Sequence, residues 1–229
     1  MSKKKKIILL SDDLRMHSGI ATMSKEFVLG TAKYFDWVQI GGAVKHPEEG
    51  KIIDMSEVLK NDYKIKDGYL KIYPISGYGN GALLRQIMDI EKPDAIMHFT
   101  DPRFWIWLYQ MEHEIRQNIP IMYYNIWDDL PTPMYNRDYY RSSDLLMSIS
   151  KQTYGINRRI LDEYGYEDWQ MRYVPHGINS EKYFKVDKND TKFRAFEVDY
   201  ELDKYKFKVL YLNRNIRRKS PGDVILAYK

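Results

Sequence analysis

Cysteine is absent from the 229 residues. That excludes a disulfide-stapled scaffold, any cysteine-ligated zinc or iron–sulfur centre, and thiol catalysis. Long apolar runs are scarce at the amino terminus, where Lys3–Lys6 are followed by only four apolar residues, Ile7 to Leu10, and then by polar ones. Four apolar residues make neither a signal-peptide core nor a membrane span, so the expectation is a cytoplasmic protein. Charge of one sign is also lacking. The 36 Lys and Arg against 32 Asp and Glu leave +4, and the lysine run alone accounts for that excess. This is compatible with phosphate-bearing ligands but is no nucleic-acid footprint. There is no GxGxxG fingerprint, no GxxxxGK[ST] loop, no internal repeat, and no low-complexity tract beyond the lysines.

What is present is a soluble globular composition, 44% hydrophobic and 30% charged, with 20 Tyr, 8 Phe and 5 Trp. Aromatic side chains serve equally as core filler and as contact material for sugars and bases. A chain of this size buries roughly 70% of its unfolded surface, enough for a core without staples.

Short apolar runs alternate with helix-period stretches. Strands are expected at 7–11, 38–41, 69–75, 94–99, 119–126, 144–148 and 171–174, and helices at 20–35, 83–90, 104–117 and 151–164. Strands separated by helices indicate βαβ units, hence an α/β fold with a doubly wound, Rossmann-like parallel sheet. Residues 1–178 form this domain. Residues 179–206 are polar and charged, suited to a linker or peripheral segment. Residues 207–229 read as a strand at 207–212, a basic loop, and a helix from 222, the first βα unit of a second domain that is only begun.

Ligands of open α/β sheets bind beyond the carboxyl ends of the strands, which singles out four loops. Ser18-Gly19, after the first strand, is a helix N-cap whose backbone N–H groups can also face an anion. His98 and Asp101, in Met97-His98-Phe99-Thr100-Asp101-Pro102, are either a general base toward an acceptor hydroxyl or, respectively, a core histidine and a helix cap. Trp127 and Asp128, in Asn125-Ile126-Trp127-Asp128-Asp129-Leu130-Pro131, combine a flat ring with a carboxylate, as sugar recognition needs and as a structural turn also allows. Asp128-Asp129 lacks the further ligands of a Mg²⁺ site. Finally, Val174-Pro175-His176-Gly177 closes the first domain. Arg214 and Lys219, five apart after the 207–212 segment, are suited to clamping a diphosphate, or to lying in a solvated basic loop.

Taken in order, the glycine loop, "PDAIMHFTDP", "VPHGIN" and "YLNRNIRRKSP" resemble the retaining glycosyltransferases of family 4, which have the two-Rossmann GT-B fold. The resemblance implies transfer of a sugar from a nucleotide-sugar donor to an acceptor hydroxyl, with retention and no cofactor or obligatory metal. It implies that Arg214 and Lys219, as R-x4-K, bind the donor diphosphate, with Ser18 and Gly19 approaching the same phosphates. Asp101 and His98 fall at the acceptor-side catalytic position, and Trp127, Asp128 and His176 at acceptor or sugar contacts. The acceptor would be a glycan, a lipid-linked sugar or another hydroxyl. The family's "HxHxP" form is not reproduced and its "E-x7-E" element is absent, so a C-terminal domain or second polypeptide is the expected partner and this chain alone is expected to be inactive. Two alternatives are a non-catalytic carbohydrate- or nucleotide-binding module and a phage-type DNA-base glucosyltransferase; DNA is not favoured.

Overall fold

A computed structural model of the protein describes residues 3–213 and 215–228. The chain divides after Ile178 into two compact units. The first holds an eight-stranded sheet built from β1 (Lys5–Asp12), β2 (Phe35–Val44), β3 (Ile53–Asp54), β4 (Leu70–Ser76), β5 (Ala95–Phe99), β6 (Ile121–Asn125), β7 (Leu145–Ser148) and β8 (Met171–Tyr173). Its order is β3-β4-β2-β1-β5-β6-β7-β8. Every pairing is parallel except that of the two-residue edge strand β3 with β4. β1 is therefore central, with Ile8 opposite Val38 on one side and Ile96 on the other.

Alternation along β1 sends its apolar residues to both faces. Ile8 and Leu10 join Val38, Ile40, Leu84, Ile87, Trp105 and Leu108 in one core. Ile7 and Leu9 join Val28, Trp37, Leu59, Ile72 and Phe99 in the other. The helices that supply these layers are α1 (Gly19–Thr31), α2 (Ser56–Asn61), α3 (Gly81–Glu91), α4 (Ile106–Gln110), α5 (Glu112–Arg116), α6 (Arg137–Arg141) and α7 (Lys151–Leu161). A third cluster, with Tyr123, Tyr140, Leu146, Ile156 and Met171, packs β6–β8 under α6 and α7.

At the amino-terminal pole, Lys6 Nζ, Tyr69 and Tyr73 converge on the buried carboxylate of Glu91 at 2.7–2.8 Å. Burial pushes this carboxyl up, but these hydrogen bonds, with the Lys6 charge, overcome it and hold it down at about 2.

Two expectations are corrected. The helix expected over 104–117 is a 3-10 turn (Pro102–Trp105), α4 and α5, broken at Met111, whose sulfur packs against Gly81 at the start of α3. The strand β3 and helix α2 lie in a stretch for which no element is expected. In the second unit, 207–212 form no strand among the described residues, because no neighbouring ladder is there to pair with them, and Leu210 is 87% exposed. The 179–206 stretch, expected to be a linker or peripheral segment, carries α8 (Thr191–Asp199), started by Asp190, which accepts from the N–H groups of Lys192 and Phe193 at 2.9 Å. The second unit closes with α9 (Pro221–Tyr228). No helix among the described residues is long and apolar enough to cross a membrane.

Candidate functional site

The parallel strands β1, β2, β4, β5 and β6 discharge their loops at one pole. β1 ends in Asp12, whose carboxylate accepts the Ser18 hydroxyl at 2.7 Å while Ser18 Oγ caps α1 by accepting the Ala21 N–H at 3.0 Å. The Gly19 and Ile20 N–H groups, in the first turn, have no intrahelical acceptor. A side-chain carbon on Gly19 would meet nothing within 4 Å, so space is open above this helix start. Burial raises the Asp12 carboxyl, and the Ser18 hydrogen bond offsets part of that rise.

Beyond β4 the chain runs through Gly77-Tyr78-Gly79. Both glycines have positive φ, and Gly42 on β2 has no room for a side chain because a Cβ there would lie 2.5 Å from the Gly77 carbonyl. The Tyr78 carbonyl next to this close approach accepts from Trp107 Nε1 at 3.2 Å. The Tyr78 hydroxyl is raised by burial and by the charges of Asp12 and Asp101. The Tyr78 ring stacks on Phe104 at 4.7 Å, with 4° between planes.

Asp101 follows β5. It caps the 3-10 turn through the Arg103 N–H and is gripped by the Arg103 guanidinium at 2.5–3.1 Å. Burial pushes its carboxyl up, but Arg103 outweighs this and holds it below the usual range. The same guanidinium lies 5.4 Å from the Trp127 ring, which meets Tyr135 edge-on at 5.7 Å. Trp127 is held in turn by its N–H to Asn125 and its carbonyl to Thr153. Trp127 and Tyr135 thus lie beside the Asp101–Arg103 pair, and Phe104, stacked on Tyr78, follows Arg103 directly in the chain.

No protein-family model matches the chain, and no curated protein matches it. Among solved structures, the crystal structure of Anabaena Alr3699/HepE in complex with UDP and glucose is similar over 84% of this chain and 50% of its own, with a TM-score of 0.52 and 12% identity. The fold is a Rossmann-like domain of the GT-B type. A second GT-B structure, Medicago truncatula UGT71G1 complexed with UDP-glucose, covers 86% of this chain and 57% of its own at 11% identity, but its TM-score of 0.41 adds no weight. The chain spans about half the length of the structures it matches.

In this GT-B domain the singled-out residues separate into three groups. Ser18, Asp101, Trp127, Asp128 and His176 lie on loops beyond the carboxyl ends of strands, and Gly19 opens α1 after the first of them. Asp128 is exposed and fixed by its carbonyl, which accepts from Gln152. His176 stands edge-on to Phe99 and Tyr124, at 5.8 and 5.4 Å, and burial lowers its imidazole. His98 belongs to the interior instead. It is fully buried, stacked on Tyr123 at 5.0 Å and bonded through Nδ1 to the Tyr109 hydroxyl at 2.7 Å. Burial drives its imidazole down to about 3. A neutral, enclosed ring cannot reach a substrate in the mouth, which corrects the catalytic expectation for His98.

The third group belongs to the second unit. Lys219 closes a 3-10 turn (Arg217–Lys219) whose last carbonyl accepts the Tyr211 hydroxyl, and Arg214 lies outside the described residues. Among the described residues no cluster of three or more His, Asp or Glu side chains is arranged to hold a metal ion. Sequence reasoning missed Tyr78, Arg103, Phe104 and Tyr135. The Gly-Tyr-Gly punctuation after a strand and the Asp-Pro-Arg cap were the available signals.

Proposed function

We propose that this GT-B domain is the acceptor-side half of a retaining, family 4-like glycosyltransferase that moves a sugar from a nucleotide-sugar donor to an acceptor hydroxyl. The observation that carries the reading is the shared mouth. An open, Ser18-capped helix start suited to a phosphate lies on β1, and a fixed carboxylate, Asp101, framed by aromatic faces lies on β5 and β6. Holding donor and acceptor together in that way is the main thing such a reaction asks of the protein. In the step, the bond from the anomeric carbon to the diphosphate breaks, a bond to the acceptor oxygen forms, and the acceptor proton leaves toward the diphosphate oxygen.

Asp101, ionised throughout the neutral range, accepts the acceptor hydroxyl's hydrogen bond and orients it. Trp127 and the exposed Asp128 and His176 contact the sugars. Gly19 and Ile20 N–H groups are the anion-facing donors of the first unit, and in the second the resemblance assigns donor-diphosphate contacts to Arg214 and Lys219. No divalent cation is required, and turnover depends on the donor-binding half supplied by further chain or a partner. UDP and glucose, bound in the HepE structure, make UDP-glucose the first donor to assay.

The test is Asp101→Asn in the assembled enzyme, with product anomers read by NMR. Losing a charge-assisted contact is expected to lower turnover about tenfold or more, with donor affinity unchanged. Turnover within twofold of wild type would remove Asp101 from the reaction. A non-catalytic binding module is favoured by one feature, the commitment of both Asp101 oxygens to Arg103. Donor binding without any transfer by the assembled protein would decide for that module.

A further inference from the structure

At the amino-terminal ends of β7 and β8, opposite the mouth, lies a cavity of about 240 Å³. Its floor is apolar and buried, formed by Tyr140, Leu146 and Met171. Arg141, Tyr164 and Tyr166 line its rim. The two tyrosines flank the same opening because Gly165 between them takes φ +61 and ψ 140, a conformation that side-chain-bearing residues avoid.

One guanidinium, that of Arg141, lines the rim, and Arg137 lies nearby on α6. The Arg141 guanidinium lies 4.1 Å from the Tyr164 ring, and Arg137, one turn earlier on α6, lies 5.9 Å from it. Arg141 has no carboxylate partner among the described residues. Arg137 has one only at 3.8 Å, and its Nε is buried without a hydrogen-bond partner. The Tyr166 hydroxyl accepts from a third guanidinium, that of Arg158, at 2.8 Å. A pocket with a small apolar floor, and with two tyrosine rings and the Arg141 guanidinium at its rim, matches a ligand with a flat body and an anionic end. The volume falls below the roughly 300–1,000 Å³ typical of drug-sized sites, which limits the body to a single ring.

We propose that this cavity is a second ligand site, distinct from the mouth, for a small aromatic carboxylate: the ring lies on the Leu146–Met171 floor beside Tyr164, and the carboxylate meets Arg141. The experiment titrates the full chain with benzoate, using benzyl alcohol as a neutral analogue of similar shape, by calorimetry and by NMR of tyrosine ring resonances. Saturable benzoate binding is expected, with shifts concentrated on Tyr164 and Tyr166. Arg141→Gln should weaken it about tenfold or more and Arg137→Gln by less, while Asp101→Asn leaves it unchanged. The Arg141 side chain is exposed and that of Arg137 half-buried on α6, and unaltered melting of the variants confirms that they fold. Absence of saturation up to about 10 mM benzoate, equal affinity in Arg141→Gln, or equal binding of benzyl alcohol would overturn the proposal.

Discussion

Glu91 is the most consequential ionised group in the first unit, and neutralising it is a sharp test of how the amino-terminal pole is held. Its side chain is only 2% exposed and is bonded by Lys6, Tyr69 and Tyr73, with Lys71 Nζ at 3.7 Å. The carboxyl ionises at about 2 when folded, against an ordinary value of 4.5. A folded pKa below the unfolded one means that stability is fully present above 4.5 and is lost as pH falls toward 2. At 1.36 kcal/mol per unit, ionisation of this one group contributes about 3 kcal/mol at pH 7. Glu91→Gln keeps the shape and removes the charge, leaving Lys6 partly buried without its partner. Urea denaturation should show a loss of about 3 kcal/mol at pH 7, shrinking to about 1.4 kcal/mol at pH 3, where the wild type has itself surrendered the rest. A variant as stable as wild type at pH 7, or a gap that stays constant down to pH 3, would refute the reasoning.

Three further outcomes are expected. His98→Phe should flatten the acid limb of stability: the buried imidazole ionises at about 3 against 6.5 unfolded, so the wild type loses stability as pH drops below 6.5, by about 2–3 kcal/mol at pH 4.5, and thermal melts across that range should show the Phe variant falling less. Ser18→Ala removes the cap of α1 and should cost about 1 kcal/mol in chemical denaturation, while an NMR titration of Asp12 should move further up because the hydroxyl that stabilises its carboxylate is gone. Lys219→Ala, in protein assembled with its donor half, should weaken nucleoside-diphosphate affinity about tenfold by calorimetry; an unchanged dissociation constant would remove Lys219 from the clamp.

The alternating sheet was readable because its strands are buried on both faces and each is punctuated. Ile7–Leu10 is followed by polar residues, the 83–90 helix stops before Pro93, and Gly165 ends α7 and its 3-10 extension. What failed to show has local causes. β3 is two residues long and has no period to detect, while Met55 and Ser56 are weak boundary marks for α2. Residues 207–212 have the composition of a strand, but a strand also needs an edge to bond to, and that is a property of other residues. At the mouth, the loops could be located from the rule that ligands sit beyond strand ends, but side-chain direction could not. Two neighbours three residues apart, His98 and Asp101, end in opposite settings because one is still inside β5 and the other has left it. The Asp-Pro-Arg cap marked the position of Arg103 but not its importance, which comes from meeting Asp101 and Trp127 at once.

The position of β1 carries a consequence for the order of assembly. On one side it leads to β2, β4 and β3, and on the other to β5, β6, β7 and β8, so eight residues at the start of the chain are the sole ladder joining two half-sheets. Its pairing with β2 bridges a few dozen residues, whereas Ile7 finds Ala95 only after most of the first half has been made. Long-range closure of this kind is slow relative to local pairing. During synthesis β1 must therefore wait with one edge open, beside residues Lys3–Lys6 whose charge discourages a foreign strand from adding there. Deleting β1 would cut the sheet through its middle, leaving two strand sets with no register between them.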